Sequence, residues 1–363
     1  MVANFVKVRN LLNLHFQKAL KARKASKFQA AQNSYQAILR KTNLSPDEKA
    51  EAFLGLADVE RIQGYFQQAL KHYRQASKLF HNRDPVASLD AQVGWALAAR
   101  AMGQPLQALK TLRKALIFYQ KQKDLQGQAF AHWALGGTFR IAGNMKVGLQ
   151  HLQTALRLFK KSDDLEGISY VCCALGGIFR MLGRYAESEK FYREASRRMR
   201  QRHDTFGIAY SYCGLGNVER MAGRFNQALP FYKKAEKLYA TIGDRVSYAY
   251  TLWSIGTTYK MLGLQTQALG AFYKADNLFK KTGDTRGRIY SLLGFAESEW
   301  LRGHPAKGMA WWKQAKAIAV KSDFVWEKLH VESFRGGAVR NLNVSYRRIG
   351  SRFHPQSLPV NWP

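Results

Sequence analysis

Small, large and apolar positions recur along this chain on a beat of about 40 residues. Seven glycines mark it: Gly64, Gly103, Gly143, Gly183, Gly223, Gly263 and Gly303, separated by 39 and then five times by 40 residues. Twelve residues after each glycine stands an alanine: Ala76, Ala115, Ala155, Ala195, Ala235, Ala275 and Ala315. Nine after it comes a large apolar side chain: Tyr73, Leu112, Leu152, Tyr192, Tyr232, Phe272 and Trp312. Five after it the residue is small: Ala69, Ala108, Gly148, Ser188, Ala228, Ala268 and Gly308. Small residues let helices approach closely, and the large one fills the gap beside them. A fixed period of this size predicts a solenoid of stacked supersecondary units.

One unit, Asp204–Asp244, shows the elements. Asp84, Asp124, Asp164, Asp204, Asp244 and Asp284 recur at the junctions, each just before a helical pattern. An aspartate there accepts from the free amides of the first turn. Helical periodicity runs from Phe206 to Met221, and Gly223 stands where the chain turns tightly. A second helix follows from about Asn226 to Ala240. Each unit is helix, turn, helix, and the fold class is all-α.

Leu215, Gly216, Gly223, Phe225, Ala228, Tyr232 and Ala235 carry the offsets of a known pattern. The chain resembles the tetratricopeptide repeat (TPR) family over roughly residues 10–321. The 40-residue period is longer than the usual 34 and is similar to the extended variant of Pins-type adaptors and kinesin light chains. Pro105 and Pro305 replace the aromatic after the glycine in two units, and Ser26 stands in the first unit where the glycine is expected. The resemblance implies a right-handed α-solenoid of about eight units over residues 1–321. Their expected bounds are near 10–43, 47–82, 85–121, 125–161, 165–201, 205–241, 245–281 and 285–321. A capping helix over 322–335 and a basic extended tail over 336–363 complete the expected organisation.

In this family the first helix of each unit lines the concave groove. Positions thirteen, ten, six and three before the glycine share one face of that helix. Three before it come Arg61, Arg100, Arg140, Arg180, Arg220 and Lys260, and Trp300 ends the series. Thirteen before it come Phe130, Tyr170, Tyr210, Tyr250 and Tyr290. Trp133 and Trp253 fall at ten; Gly137, Gly177, Asn217 and Thr257 fall at six. A basic ladder and an aromatic ladder are therefore expected to face the groove, with small residues between them. Each base also lies in the last helical turn, where a cation offsets the helix dipole, and the tyrosines have an alternative place in the seam between units. A mid-helix glycine costs ~1 kcal/mol against alanine. Gly136 and Gly176 occupy the family's packing position. Gly137 and Gly177 have no such reason, and close approach of a ligand backbone would supply one.

Composition adds charge to this picture. Lys and Arg total 57 against 25 Asp and Glu, a formal net charge of +32. Such an imbalance favours anionic partners: nucleic acid, an acidic protein segment or an anionic membrane. No acidic residue occurs before Asp47 or after Glu332, so both ends are purely basic. The acid-free start has the composition of an organellar transit peptide, but Lys27–Leu39 already reads as the second helix of a first unit. Three cysteines, Cys172, Cys173 and Cys213, make no disulfide framework and suit a reducing compartment. Cys173 and Cys213 share one offset in adjacent units. No apolar run approaches the ~20 residues of a membrane span. Phosphate-cradling glycine loops and the HExxH pattern are absent, and the nine histidines show no i, i+4 pair.

These observations predict a non-enzymatic, cytoplasmic scaffold or adaptor without cofactors, binding an acidic extended peptide in a basic, aromatic groove. Arg140, Arg180 and Arg220 are its expected central anchors, with Tyr170, Tyr210, Tyr250, Trp133 and Trp253 giving contact area. The alternatives are a solenoid binding single-stranded RNA or DNA, and a peptide-sensing regulator. The last segment, with three prolines among its final nine residues, is expected to be extended and frayed.

Overall fold

The computed structural model describes residues 2–335, 337–351, 353 and 355–363, with side chains from Asn13 onward. Gly336 of the glycine pair, and Arg352 and His354 of the basic tail, lie outside the described residues. Sixteen helices form eight antiparallel pairs: α1 (Val2–Lys24) with α2 (Phe28–Leu39), α3 (Pro46–Gln63) with α4 (Phe66–Phe80), and α5 (Pro85–Ala101) with α6 (Pro105–Lys121). The central pairs are α7 (Leu125–Ile141) with α8 (Met145–Lys161), α9 (Leu165–Met181) with α10 (Tyr185–Gln201), and α11 (Thr205–Met221) with α12 (Phe225–Ile242). The last are α13 (Arg245–Met261) with α14 (Gln265–Thr282), and α15 (Thr285–Leu301) with α16 (Pro305–Val320).

The junction aspartates start the odd helices. Asp124, Asp164, Asp204 and Asp284 each accept the amide of the glycine three residues on, at 2.8–2.9 Å. Asp84 and Asp244 accept from Ala87 and Ser247 in the same way. The marker glycines end those helices at φ between +73° and +86°, a left-handed conformation that only glycine adopts at low cost. Ser26, at the same place in the first pair, holds φ +56° without being glycine.

The large residue nine after the marker sets the distance between pairs. Tyr192 on α10 is wedged between its own α9 and the following α11. A Cβ added at Gly176 would lie 2.8 Å from its ring, and one at Gly214 2.1 Å. Phe272 sits in the same way between Gly256 and Gly294. The missing side chains are the holes into which these rings fit. The odd helices touch one another along the stack more closely than the even ones do, so they form the inner wall.

The stack curls until its turns meet. Phe28 and Phe206 pack edge to face with centroids 5.9 Å apart, and Arg245 lies over the Tyr65 ring at 4.1 Å. Ala31 and Ile38 share one apolar cluster with Ala209, Tyr239 and Ile242. Further on, the Asp323 amide donates to the Gly103 carbonyl. The odd helices therefore enclose a channel.

The C-terminal segment occupies part of that channel and is not frayed. Helix α17 (Val325–Ser333), a two-strand hairpin of β1 (Phe334–Arg335) and β2 (Ala338–Val339), and α18 (Asn343–Arg348) cross from the eighth pair to the fourth and fifth. Trp312 donates to the Val331 carbonyl at 3.0 Å, which covers the last pair. Trp326 and Tyr346 are buried in the cluster of α8–α10. Ser351 donates to the Met181 carbonyl. The chain then returns, and Val360 and Trp362 are buried beside Trp253 and Tyr290. Pro355, Pro359 and Pro363 keep the last nine residues out of helix, but the apolar residues among them found a surface to cover.

The wedge model makes a paired prediction. Gly214→Ala should lower stability by about 1–3 kcal/mol through overpacking against Tyr192, despite the gain in helix propensity. Gly270→Ala, on exposed α14 with open space around it, should leave stability unchanged or raise it by up to ~1 kcal/mol. Urea titration followed by circular dichroism compares the two.

Candidate functional site

The bases three before each marker lie near one another along the stack, Arg61 beside Arg23 and Arg100, and Arg140 beside Arg100 and Arg180, and the row is longer than the sequence pattern suggested. Arg23, three before Ser26, is its first member. Its guanidinium pairs with Asp58 at 2.9 Å, and Arg61 donates through Nε to the Tyr73 hydroxyl, which in turn donates to Asp58. At the far end Lys260 pairs with Glu297 at 2.5 Å, both fully buried. Asp58 and Glu297 both stand six before a marker glycine. That inner-wall position thus supplies a carboxylate to the base of the preceding pair at both ends of the row.

The middle lacks this compensation. To Arg100, Arg140 and Arg180 the following pair offers Gly137, Gly177 and Asn217. Among the described residues Arg100 finds only the Ala134 carbonyl and the Thr138 hydroxyl, both at 3.3 Å. Arg180 has Nε and Nη1 buried without a partner. Burial first, then the charges of Arg140 and Arg61, push the Arg100 guanidinium down to about 9. Arg140 is lowered by burial and by Arg286 and Arg180 nearby. Gly137 gains a reason here: a Cβ would lie 2.9 Å from Arg100 Nη1. The glycine makes room for the guanidinium of this chain. Arg286, across the channel, is matched by Glu327 of α17 at 2.5 Å.

Arg220 and Lys260 hold the returning C-terminal segment. Arg220 Nη1 donates to the Trp362 carbonyl at 2.6 Å and to Asn361 Oδ1, while Asn361 Nδ2 donates back to the Arg220 carbonyl at 2.7 Å. Lys260 donates to the Val360 carbonyl at 2.8 Å. Glu297 accepts from the Val360 amide and from the Trp362 indole. The Arg220 guanidinium lies over Trp253, 5.5 Å from the ring centroid. Arg220 and Lys260 are both lowered, chiefly by burial.

Tetratricopeptide repeat models match residues 16–80, 165–241 and 207–281. The chain is a tetratricopeptide repeat protein. Its solenoid is similar to that of a Rap protein complexed with Competence and Sporulation Factor: TM-score 0.65, 15% identity, 86% of this chain and 98% of that one. NprR in complex with its cognate peptide NprX gives 0.61 at 15% identity, covering 94% and 98%. Aspartyl phosphate phosphatase F from Bacillus subtilis gives 0.55 at 11%, covering 91% and 96%. Identities this low establish the fold alone. No curated protein sequence matches the chain. The narrower likeness to Pins-type adaptors and kinesin light chains rests on the 40-residue period.

The aromatic ladder of this TPR protein divides. The Tyr170 hydroxyl donates to Asp204 at 2.8 Å and that of Tyr250 to Asp284 at 3.2 Å, so both belong to the seam between pairs. Tyr290 is 2% exposed and packs against Trp253, whose indole donates to the Tyr290 carbonyl. Phe130 and Tyr210 stay open at 39% and 38% exposure, and Trp133 stacks on Phe130. Asn217 accepts from the Tyr232 hydroxyl and from Ser254. Burial raises the Cys173 and Cys213 thiols, which disfavours the reactive thiolate. Among the described residues no three His, Cys, Asp or Glu side chains cluster as metal ligands, and no helix is long and apolar enough to cross a membrane.

Sequence reasoning missed Arg23, Asp58, Glu297, Asn361 and Trp362. Applying the three-before and six-before offsets to the end units finds the first three. Nothing periodic announces the last two.

Two consequences are measurable. Glu297→Gln leaves the buried Lys260 ammonium unpaired and should cost about 3–5 kcal/mol, read by urea titration. His330 carries the second. It is fully buried, its Nδ1 lies 2.7 Å from the Tyr346 hydroxyl and its ring 4.7 Å from that of Trp362. Burial, then the charge of Arg286, lowers it from 6.5 to about 3. In that window the unfolded chain binds a proton that the folded one refuses, so stability falls as pH falls, by about 1.4 kcal/mol per unit. Asp244 and Asp284, raised by burial to about 6, act in the opposite sense between 3.8 and 6. The difference in unfolding free energy between His330→Phe and the parent isolates the histidine. It should grow in the variant's favour by roughly that slope from pH 6 to pH 4.

Proposed function

We propose that this protein is a non-enzymatic peptide-binding scaffold whose channel takes an extended acidic segment through Arg100, Arg140 and Arg180. The observation that carries this reading is the row of three guanidinium groups with no carboxylate partner among the described residues, continuous with a stretch where the same wall holds residues 360–362 of the chain itself. Carboxylates of a ligand would supply the charge-assisted pairing that Asp58 and Glu297 supply at the ends. Helices pack ~8–10 Å apart and an extended chain advances ~3.3 Å per residue, so one arginine would meet roughly every third residue. Phe130 and Tyr210 remain open for side-chain packing. The Rap and NprR structures hold Competence and Sporulation Factor and a cognate peptide on solenoids of the same kind, which supports a peptide as the occupant, including a sensed one.

Single-stranded nucleic acid is the second reading, favoured by the +32 charge. Base stacking needs open aromatic faces along the strand. Tyr170, Tyr250 and Tyr290 are engaged or buried, which leaves too few. The tests share one format, anisotropy of labelled glutamate-rich peptides and of oligonucleotides. Arg140→Gln with Arg180→Gln should weaken the peptide about tenfold or more, two lost charge-assisted contacts being worth ~1.5–3 kcal/mol each. Unchanged peptide affinity in a folded double variant defeats the groove reading. Tighter oligonucleotide binding, with a steep fall in log affinity against log salt that flattens in the variant, establishes the nucleic-acid reading.

A further inference from the structure

The polypeptide already in the channel shows how the wall reads a ligand. Residues 360–362 make three bonds through their backbone: the Val360 amide to Glu297, the Val360 carbonyl to Lys260, and the Trp362 carbonyl to Arg220. Only two side chains add polar contacts. Asn361 makes a reciprocal pair with Arg220, donating to its carbonyl and accepting from its guanidinium. The Trp362 indole donates to Glu297 and its ring lies among His330, Phe334 and Phe353. Backbone contacts at successive wall positions, with side-chain pockets between them, are how grooves recognise extended peptides in general.

The segment also has a direction. Its Val360 carbonyl meets the seventh pair and its Trp362 carbonyl the sixth, so the chain runs toward the fifth and fourth. Two residues, ~6.6 Å, cover one step between pairs ~8–10 Å apart. A chain continuing past the place of Trp362 would reach Arg180 after two or three more residues, and Arg140 after a similar step.

Resting on the peptide-binding reading above, we propose that residues 357–362 are an internal ligand held in cis. The external partner that displaces them is an extended peptide carrying asparagine followed by an aromatic residue, with acidic residues spaced on its C-terminal side. The asparagine and the aromatic take the Arg220–Glu297 subsite, and the acids neutralise Arg180 and Arg140. Residues 357–362 carry no acid and meet only Arg220 and Lys260 of the row. A cognate ligand outcompetes them by completing the charge pairing. Competition reduces the apparent affinity of any external ligand by the fraction of molecules whose subsite is free.

The test uses the full chain and labelled synthetic peptides. The first peptide has the sequence of residues 357–363 followed by Asp-Gly-Asp-Gly-Asp. The second carries Asn in place of the three added Asp, and the third replaces the motif asparagine by alanine. Asn361→Ala in the protein removes both contacts with Arg220 without emptying an apolar pocket. The first peptide should bind this variant about tenfold more tightly than the parent. It should bind better than the second and third peptides, and its advantage over the second should vanish in Arg140→Gln/Arg180→Gln. Equal affinity for parent and variant overturns the internal-ligand assignment. Equal affinity of the first and second peptides overturns the direction. A second measurement needs no variant: saturating the parent with the first peptide should accelerate amide exchange in residues 360–362, while the amides of α11 and α13 stay protected. Unchanged exchange at those residues also defeats the proposal. Failure of the peptide-binding reading itself looks different, because no acidic peptide of any sequence would then depend on Arg140 and Arg180.

Discussion

Everything in this solenoid follows from the way one large side chain per unit is seated between two helices. Tyr192 against Gly176 and Gly214, and Phe272 against Gly256 and Gly294, fix the spacing and rotation of successive pairs. That repetition brings equivalent positions into line, so a base placed once per unit becomes a row of like charges inside a protein wall. Charges taken out of water need partners. The glycine holes therefore create an electrostatic demand that the inner wall must answer position by position.

The answers differ along the row, and the difference locates the site. Asp58 and Glu297 supply carboxylates at the ends. The C-terminal segment supplies carbonyls and an amide side chain to Arg220 and Lys260. Arg100 is left with a backbone carbonyl and a hydroxyl, and Arg180 with buried nitrogens that bond to nothing. Glycine at 137 keeps the Arg100 guanidinium from being crowded but gives it no counter-charge. The wall is thus complete in packing and incomplete in charge.

Local order was legible because it is written in each unit. The junction aspartates, the left-handed glycines and the helix pairs follow from side chains within a few residues of one another. So does the row from Arg61 to Lys260, whose offset repeats. The aromatic positions were visible as a series, but their roles were not. Tyr170 and Tyr250 reach aspartates 34 residues away, and only the packed interface reveals the pairing. Gly137 looked like space for a ligand and is space for Arg100, a neighbour in the preceding pair. The last segment was misjudged because proline count reports what a chain cannot form locally. It carries no information about a surface 141 residues upstream, where Asn361 meets Arg220.

That long reach changes how the molecule comes apart. Open repeat stacks couple only to their neighbours, so they unzip from the ends and lose structure piecemeal. Here Phe28 rests on Phe206, Asp323 bonds to Gly103, and Asn361 ties the terminal segment to Arg220. Each tie spans several units and must break before the units between them can fray separately. The stack therefore melts more nearly as one body than an open array of the same length. The same sequence-distant contacts raise the contact order, and the chain folds more slowly than its helical content alone would suggest.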